Sequence, residues 1–340
     1  MRLLNRLFIV LCLSVFYVGS YSQIKDSLTV VKLDSVSVVS DSLIMNTDSV
    51  LVSTDSLTSN SDSINVVHPK KTKVYLEHAN ILSFDKDRNL DAQVLNGDVC
   101  FRHDSSYMYC DSAYFFEKTN SLEAFSNVRM EQGDTLFVYG NYLFYDGNSK
   151  IAYLRENVRM ENGQVTLFTD SLNYERVANI GYYFDGGLIV DSLNQLSSFY
   201  GQYSPSTKLA VFNDSVRLEN ENFTLYSDTL HYTTDSKIAT ILGPSIIESD
   251  SGTIYSSKGW YDTVKNTSSL LERSQVVSGN RILIGDSISY DRNIGFGEAF
   301  GNMSLRDTSQ HVTLEGNYGF YNEKTQYLMS IFANVRCTMT

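Results

Sequence analysis

The chain has 340 residues and a formal net charge of −12, long enough for one large or two medium domains. So acidic a balance argues against a nucleic-acid partner, which would need a basic stripe, but allows an amphiphile whose chains are buried and whose head stays in water. The 23 Tyr and 18 Phe against only 3 Pro favour strands, because aromatic side chains suit a pleated surface and Pro cannot donate to a ladder.

Residues 1–22 read as an export signal. Arg2 and Arg6 supply a basic start, 7–18 an apolar core, and Ser20-Tyr21-Ser22 a small-x-small cleavage site before Gln23. The apolar core is shorter than the roughly 20 residues of a spanning helix, although an uncleaved anchor is the alternative. Cys12 follows Leu11, not a small residue, so it is not a lipoprotein cysteine. The mature chain is expected to be exported and periplasmic, with outer-membrane association as an extension of that expectation.

Residues 26–66 contain no Gly, Pro or aromatic residue, and six Asp against one Lys leave them at −5. Asp-Ser pairs recur every seven residues from Asp34-Ser35 through Asp41, Asp48 and Asp55 to Asp62-Ser63. A heptad invites a coiled coil, but the intervening Ser, Thr and Val are poor helix formers and only one apolar position recurs. The region 23–73 is therefore expected to be a disordered, low-complexity linker.

From Val74 onward a motif returns about every thirty residues. Clear copies are Asn127-Val128-Arg129-Met130, Asn157-Val158-Arg159-Met160 and Ser215-Val216-Arg217-Leu218. Weaker ones centre on Val99, Leu188, Ile246, Val276, Met303 and Val335, giving nine copies in near-constant step. Each reads as a short alternating strand, a turn such as Asn162-Gly163, a second strand such as Val165-Thr166-Leu167, a polar break such as Asp170-Ser171, and a third strand such as Leu172-Asn173-Tyr174. The period of two predicts one buried face, with Val128, Met130, Leu136, Val138, Val158, Met160, Val165, Leu167, Val216, Leu218, Phe223 and Leu225 as candidate inner residues. The inner side is unassigned around Arg281-Ile282-Leu283-Ile284, where both faces are apolar, and around Phe137 and Tyr139. The last copy runs to Thr340 without a closing strand, so its edge is expected either to pair with another protein or to continue in further chain.

Cys100 and Cys110 flank Asp104-Ser105-Ser106, and a hairpin centred on Ser105 would set them opposite each other as a disulfide. Two half-buried, reduced strand residues are the other reading, and both stand at this point. Cys100, His103 and Cys110 match no zinc spacing and lack a fourth ligand. There is no Gly-rich phosphate loop, no His-Glu-x-x-His and no Gly-x-Ser-x-Gly. The expectation is a non-enzyme with no cofactor and no metal, its recurrent turn Asp residues serving as backbone caps.

The repeat grammar resembles the LptA/OstA family of periplasmic lipopolysaccharide transport proteins. The likeness rests on Asn127-Val128-Arg129-Met130, Gly133-Asp134-Thr135-Leu136, Thr253-Ile254-Tyr255-Ser256, Gly259-Trp260-Tyr261-Asp262, Gly285-Asp286-Ser287 and 297–302, and it extends over 74–340. The resemblance implies an all-β, elongated, open β-jellyroll of stacked repeats. Its twelve inner residues would line a groove for the acyl chains of lipopolysaccharide (lipid A). Its partners would be inner-membrane and outer-membrane transport components, with end-to-end self-association through strand addition. The chain departs from short members of that family in its greater number of repeats and its Asp-Ser linker. Without lipid transport, the same stack would be a cell-envelope scaffold or surface adhesin.

Overall fold

The computed structural model describes residues 72–84, 91–325, 327–330 and 336–339. The export signal and nearly all of the linker lie outside these residues. Among them, 24 strands pair into a single hydrogen-bonded sheet in which every pairing is antiparallel, and no helix occurs. The long strands, Ser121–Gln132 and Val165–Glu175 among them, hold 10 to 12 residues each.

These strands are bent in the middle, and the bend has a chemical signature. At six places two consecutive residues take left-handed φ values: Gly97-Asp98, Ser126-Asn127, Glu156-Asn157, Asp214-Ser215, Glu272-Arg273 and Gly301-Asn302. On the neighbouring strand one residue stands opposite each pair, and it is Asp or Asn each time: Asp111, Asn141, Asp170, Asp228, Asp286 and Asn317. Two residues against one is a β-bulge, which kinks the strand and increases its twist. A non-Gly residue in this region costs on the order of 1–2 kcal/mol. Side-chain clamps offset that cost, with Asn127 Nδ2 donating to Asp111 Oδ2 and Asn302 Nδ2 to Asp286 Oδ2, both at 2.7 Å. The Asp170-Ser171 step is therefore a corner inside one strand, Val165–Glu175, and not the break between two strands that alternation alone implied.

The corners fold the sheet into two facing leaves. Half-strands such as 121–125 and 142–146 form one leaf, whose hairpins close with four-residue loops ending in a left-handed residue: Asn120, Lys150, Asn179, Lys208, Lys237 and Asn266. Half-strands such as 128–132 and 136–139 form the other, closed by shorter turns such as that at Gly163. These are called here the loop leaf and the turn leaf. Their inner faces meet directly: a Cβ added at Gly181 of the loop leaf would stand 3.1 Å from Met160 Sδ of the turn leaf.

The loop leaf buries a Leu-x-Tyr pattern, as in Leu143 and Tyr145, Leu172 and Tyr174, Leu230 and Tyr232. Its tyrosines form a column at steps of 29 residues, Tyr145, Tyr174, Tyr203, Tyr232, Tyr261 and Tyr290, all buried. Burying side chains of this size contributes roughly 1.5–3 kcal/mol each, so the stack is held by its inner faces repeat by repeat.

The hairpin at His103 turns on Asp104-Ser105, half a residue earlier than a centre on Ser105. Val99 therefore opposes Cys110 while Cys100 opposes Tyr109. Since side chains alternate along a strand, the slip puts Cys110 on the inner face and leaves Cys100 half-buried on the outer one, and both are free thiols. The disulfide reading is corrected accordingly. Where both faces looked apolar, Leu283 points inward, and Leu136 and Val138 take the inner side beside Phe137 and Tyr139.

Candidate functional site

All twelve candidate inner residues, from Val128 to Leu225, are buried, none more than 6% exposed. Every one of them belongs to the turn leaf. The opposite wall, supplied by the loop leaf, went unread, although the recurring Leu-x-Tyr at constant step was its signal. Between the walls the side chains interdigitate as a closed apolar interior. An open cleft of about 740 Å³ lies elsewhere, on the outer face, between Tyr226, Ile246 and Tyr255 and bordered by Arg217, Glu272 and Arg273.

The corners form a spine, where the interrupted ladder is crossed by backbone bonds such as Gly186 N–H to the Phe199 carbonyl and Phe199 N–H to the Asp214 carbonyl and by side-chain ones such as the Asn157 N–H to Asp170 Oδ1. Opposite the spine, the hairpin ends of the two leaves meet as lips, and a series of polar bridges joins them. Near the first repeats, His103 of the turn leaf is fully buried, with Nε2 at 2.7 Å from Thr72 Oγ1 and Nδ1 at 2.6 Å from the Tyr145 hydroxyl. Arg176 reaches across from its loop to donate to Ser106 Oγ at 2.7 Å and the His103 carbonyl at 3.1 Å. Burial pushes His103 below the usual imidazole value, an effect that Asp104 opposes only in part. Lys150 pairs with Asp104 at 2.8 Å, and that hydrogen bond holds the carboxyl below its ordinary range.

Further along, the Tyr203 hydroxyl and Lys208 Nζ both donate to Asn162 Oδ1 across the lips. The densest bridge is at Asp191. Its carboxylate accepts the Tyr232 hydroxyl at 2.6 Å, Lys237 Nζ at 2.9 Å, and the backbone N–H groups of Leu193 and Asn194 at 2.8 and 2.9 Å. Asn194 Nδ2 donates in turn to the Tyr232 hydroxyl and to Thr263 Oγ1. Burial alone would raise the Asp191 pKa; the hydrogen bonds from Tyr232, Leu193, Lys237 and Asn194 outweigh it and keep the group below the usual carboxylate value. Tyr232 is held well above the ordinary phenol value, first by burial and then by the neighbouring carboxylate.

The interior is thus a packed apolar layer bounded by the corners on one side and by hydrogen-bonded lips on the other. Among the described residues no group of three or more His, Cys, Asp or Glu is placed to hold a metal ion. Residues 71–228 match the family model described as OstA-like protein. Over this stretch the chain is similar to that family. The matched stretch contains the corners at Ser126-Asn127, Glu156-Asn157 and Asp214-Ser215, the Arg176 bridge, Asp191 without its partners Tyr232 and Lys237, and all twelve candidate inner residues. Among solved structures, a similarity is found to LptH of Pseudomonas aeruginosa, described as the LptA-homologous periplasmic component of the lipopolysaccharide transport device. The identity is 14% and the TM-score 0.29, over 31% of this chain and 79% of that one. No curated protein matches the sequence.

Proposed function

We propose that this protein is a non-enzymatic periplasmic carrier that takes the acyl chains of lipopolysaccharide between its two leaves and helps convey the lipid to the outer membrane. The observation that carries this reading is the continuous apolar interior running through an OstA-like repeat stack. Each buried methylene contributes about 0.8 kcal/mol, so several acyl chains held there would stay firmly out of water. Neighbouring repeats offer near-equivalent walls, so a lipid moves along the stack with little net change in free energy, and a partner supplies the direction.

Admission requires the lips to part. The spine is continuous backbone, whereas the mouth is closed by side chains that also have favourable alternatives in water. We further propose that the outermost strands add to transport components at the two membranes, or to a second copy of this chain, because among the described residues Tyr75–His78 and Ile81–Phe84 at one end and Tyr327–Ser330 and Arg336–Met339 at the other pair on one side only. The closed packing of the twelve inner residues favours a second reading, a cell-envelope scaffold whose interior stays dry. Purification of the native protein from its own envelope, followed by lipid extraction and mass spectrometry, separates the two: stoichiometric lipopolysaccharide is expected of the carrier, and lipid-free protein of the scaffold.

A further inference from the structure

An amphiphile whose chains lie between the leaves has one place for its headgroup. The spine is crossed by backbone and side-chain hydrogen bonds, so the polar part emerges between the lips. Each of the seven loop-leaf hairpins from 117–120 to 292–295 carries one Lys or Arg, in a chain whose net charge is −12. Four of these cations pair with carboxylates: Lys118 with Asp91, Lys150 with Asp104, Lys237 with Asp191 and Lys265 with Asp262.

The remaining three, Arg176, Lys208 and Arg292, meet neutral acceptors. Arg176 donates to the Tyr145 hydroxyl, Ser106 Oγ, Gln132 Oε1 and the His103 carbonyl, and Lys208 to Asn162 Oδ1. Arg292 Nη1 donates to the Asn222 carbonyl at 3.1 Å, its guanidinium lies 5.7 Å over the Phe223 ring, and its Nε is buried with no hydrogen-bond partner. The other buried side-chain atom without a partner among the described residues is Ser268 Oγ. Ser268 stands in register between Tyr261 and Tyr290, and Tyr261 packs 4.5 Å from the same Phe223 ring. Both unpartnered groups thus neighbour the Tyr261–Phe223 ring pair beneath the lip.

A buried donor without an acceptor is costly, and the Arg292 guanidinium has no salt bridge to a carboxylate among the described residues, the Glu323 carboxylate beside its loop accepting from the Tyr290 hydroxyl. A phosphate supplies both, offering several acceptor oxygens to the planar guanidinium and a compensating negative charge. We propose that the lips bind a phosphate-bearing lipid headgroup, with Arg292 as the principal seat and Arg176 and Lys208 as further seats along the stack. The inference rests on the carrier reading and adds to it a recognition element. Successive loops stand about 10 Å apart, two strand spacings, so Arg176 and Lys208 are neighbouring seats, and Arg292 lies three loops, about 30 Å, beyond Lys208. Because Arg176, Lys208 and Arg292 also bridge the lips, a headgroup that engages one of them takes the cation from its bridge. The mouth opens where the lipid sits and closes behind it.

The test uses the full chain with lipid A and with the same lipid A stripped of its phosphates, each competing against a fluorescent fatty acid. Wild type should bind the phosphorylated form about tenfold or more tightly than the stripped one, as expected for one charge-assisted contact. In the double variant Lys208→Gln, Arg292→Gln that ratio should fall towards one, read as a ratio within each protein so that any change in fatty-acid admission from the lost lip bridges cancels, and Arg292→Lys should restore part of it. Equal binding of both lipids by wild type overturns the headgroup seat and leaves the carrier reading standing. Binding of neither lipid and of no fatty acid removes the carrier reading itself. Displacement by inorganic phosphate alone as effective as by lipid A would identify a free-anion site and refute the proposal.

Discussion

Replacing Asp191 by Ala removes the acceptor of four hydrogen bonds at the densest lip bridge. The carboxylate is fully buried and Lys237 is 14% exposed, so neither water nor salt compensates fully. Losing one partner of such a pair costs about 3–5 kcal/mol, because Lys237 and the Tyr232 hydroxyl are left facing each other without their acceptor. Asp191→Asn keeps an acceptor for the Leu193 and Asn194 N–H groups but loses the charge, and should cost about 1.5–3 kcal/mol. In a repeat stack the damage is local, so the assay is hydrogen exchange at 191–194 and 234–237 together with denaturant unfolding. Protection should fall there and persist at 143–145 and 288–290. The acid limb has a definite sign. The Asp191 pKa is lower folded than unfolded, so its contribution is complete above the ordinary carboxylate value near 3.8 and is lost as pH falls through the depressed folded value. The wild-type advantage over Asp191→Asn should therefore shrink only below about pH 4. A loss smaller than about 1 kcal/mol, or one spread evenly over the stack, would refute the idea that this bridge holds the lips.

The tyrosine column predicts alkaline unfolding. Burial raises the pKa of Tyr145, Tyr203, Tyr232, Tyr261 and others, with Tyr183 and Tyr290 pushed up to about 12, so stability present below the ordinary phenol value of about 10 is lost as pH rises above it. Tyrosinate absorbance and loss of β-sheet circular dichroism should rise together; independent titration of the phenols in a folded protein would contradict the buried column. Gly201→Ala should destabilise by about 1–3 kcal/mol in thermal unfolding, because its methyl would stand 2.3 Å from the hydroxyl of buried Tyr183. Burial pushes the Cys110 thiol up to about 12, so peptide mapping should find it unalkylated in the native state and modified on unfolding, with no disulfide to Cys100.

The repeat and one wall of the interior could be read from the sequence because both rest on strict periodicities, two along a strand and about thirty along the chain. The bends could not. They depend on non-Gly residues such as Ser126 and Glu156 adopting left-handed conformations, which local propensity disfavours and which carboxylates on neighbouring strands help to hold, Asp111 at Asn127 and Asp170 at the Asn157 N–H. With the corners unseen, a half-strand such as 171–175 looked like a separate element, and its Leu172 and Tyr174 were not recognised as the second wall. Register at Asp104-Ser105 turned on half a residue, which was enough to move Cys110 to the inner face. The lip cations escaped notice because each loop differs in sequence: Arg176 begins its loop, Lys208 ends its own, and no motif marks them. Only the folded leaves place them along one edge.

Placing a photo-crosslinking residue at Val128, Met130, Val158 or Met160, and in parallel at Arg129 or Arg159, tests the carrier account most directly. The first four are buried between the leaves, whereas the two arginines lie on the outer face, stacked 4.5 Å over Tyr109 and Tyr139. Neighbouring positions on one strand thus report on opposite faces of the same leaf. In cells making lipopolysaccharide, the account predicts adducts with that lipid from the inner positions and none from the outer pair. Equal adducts from both faces, or none from the inner positions, would contradict it.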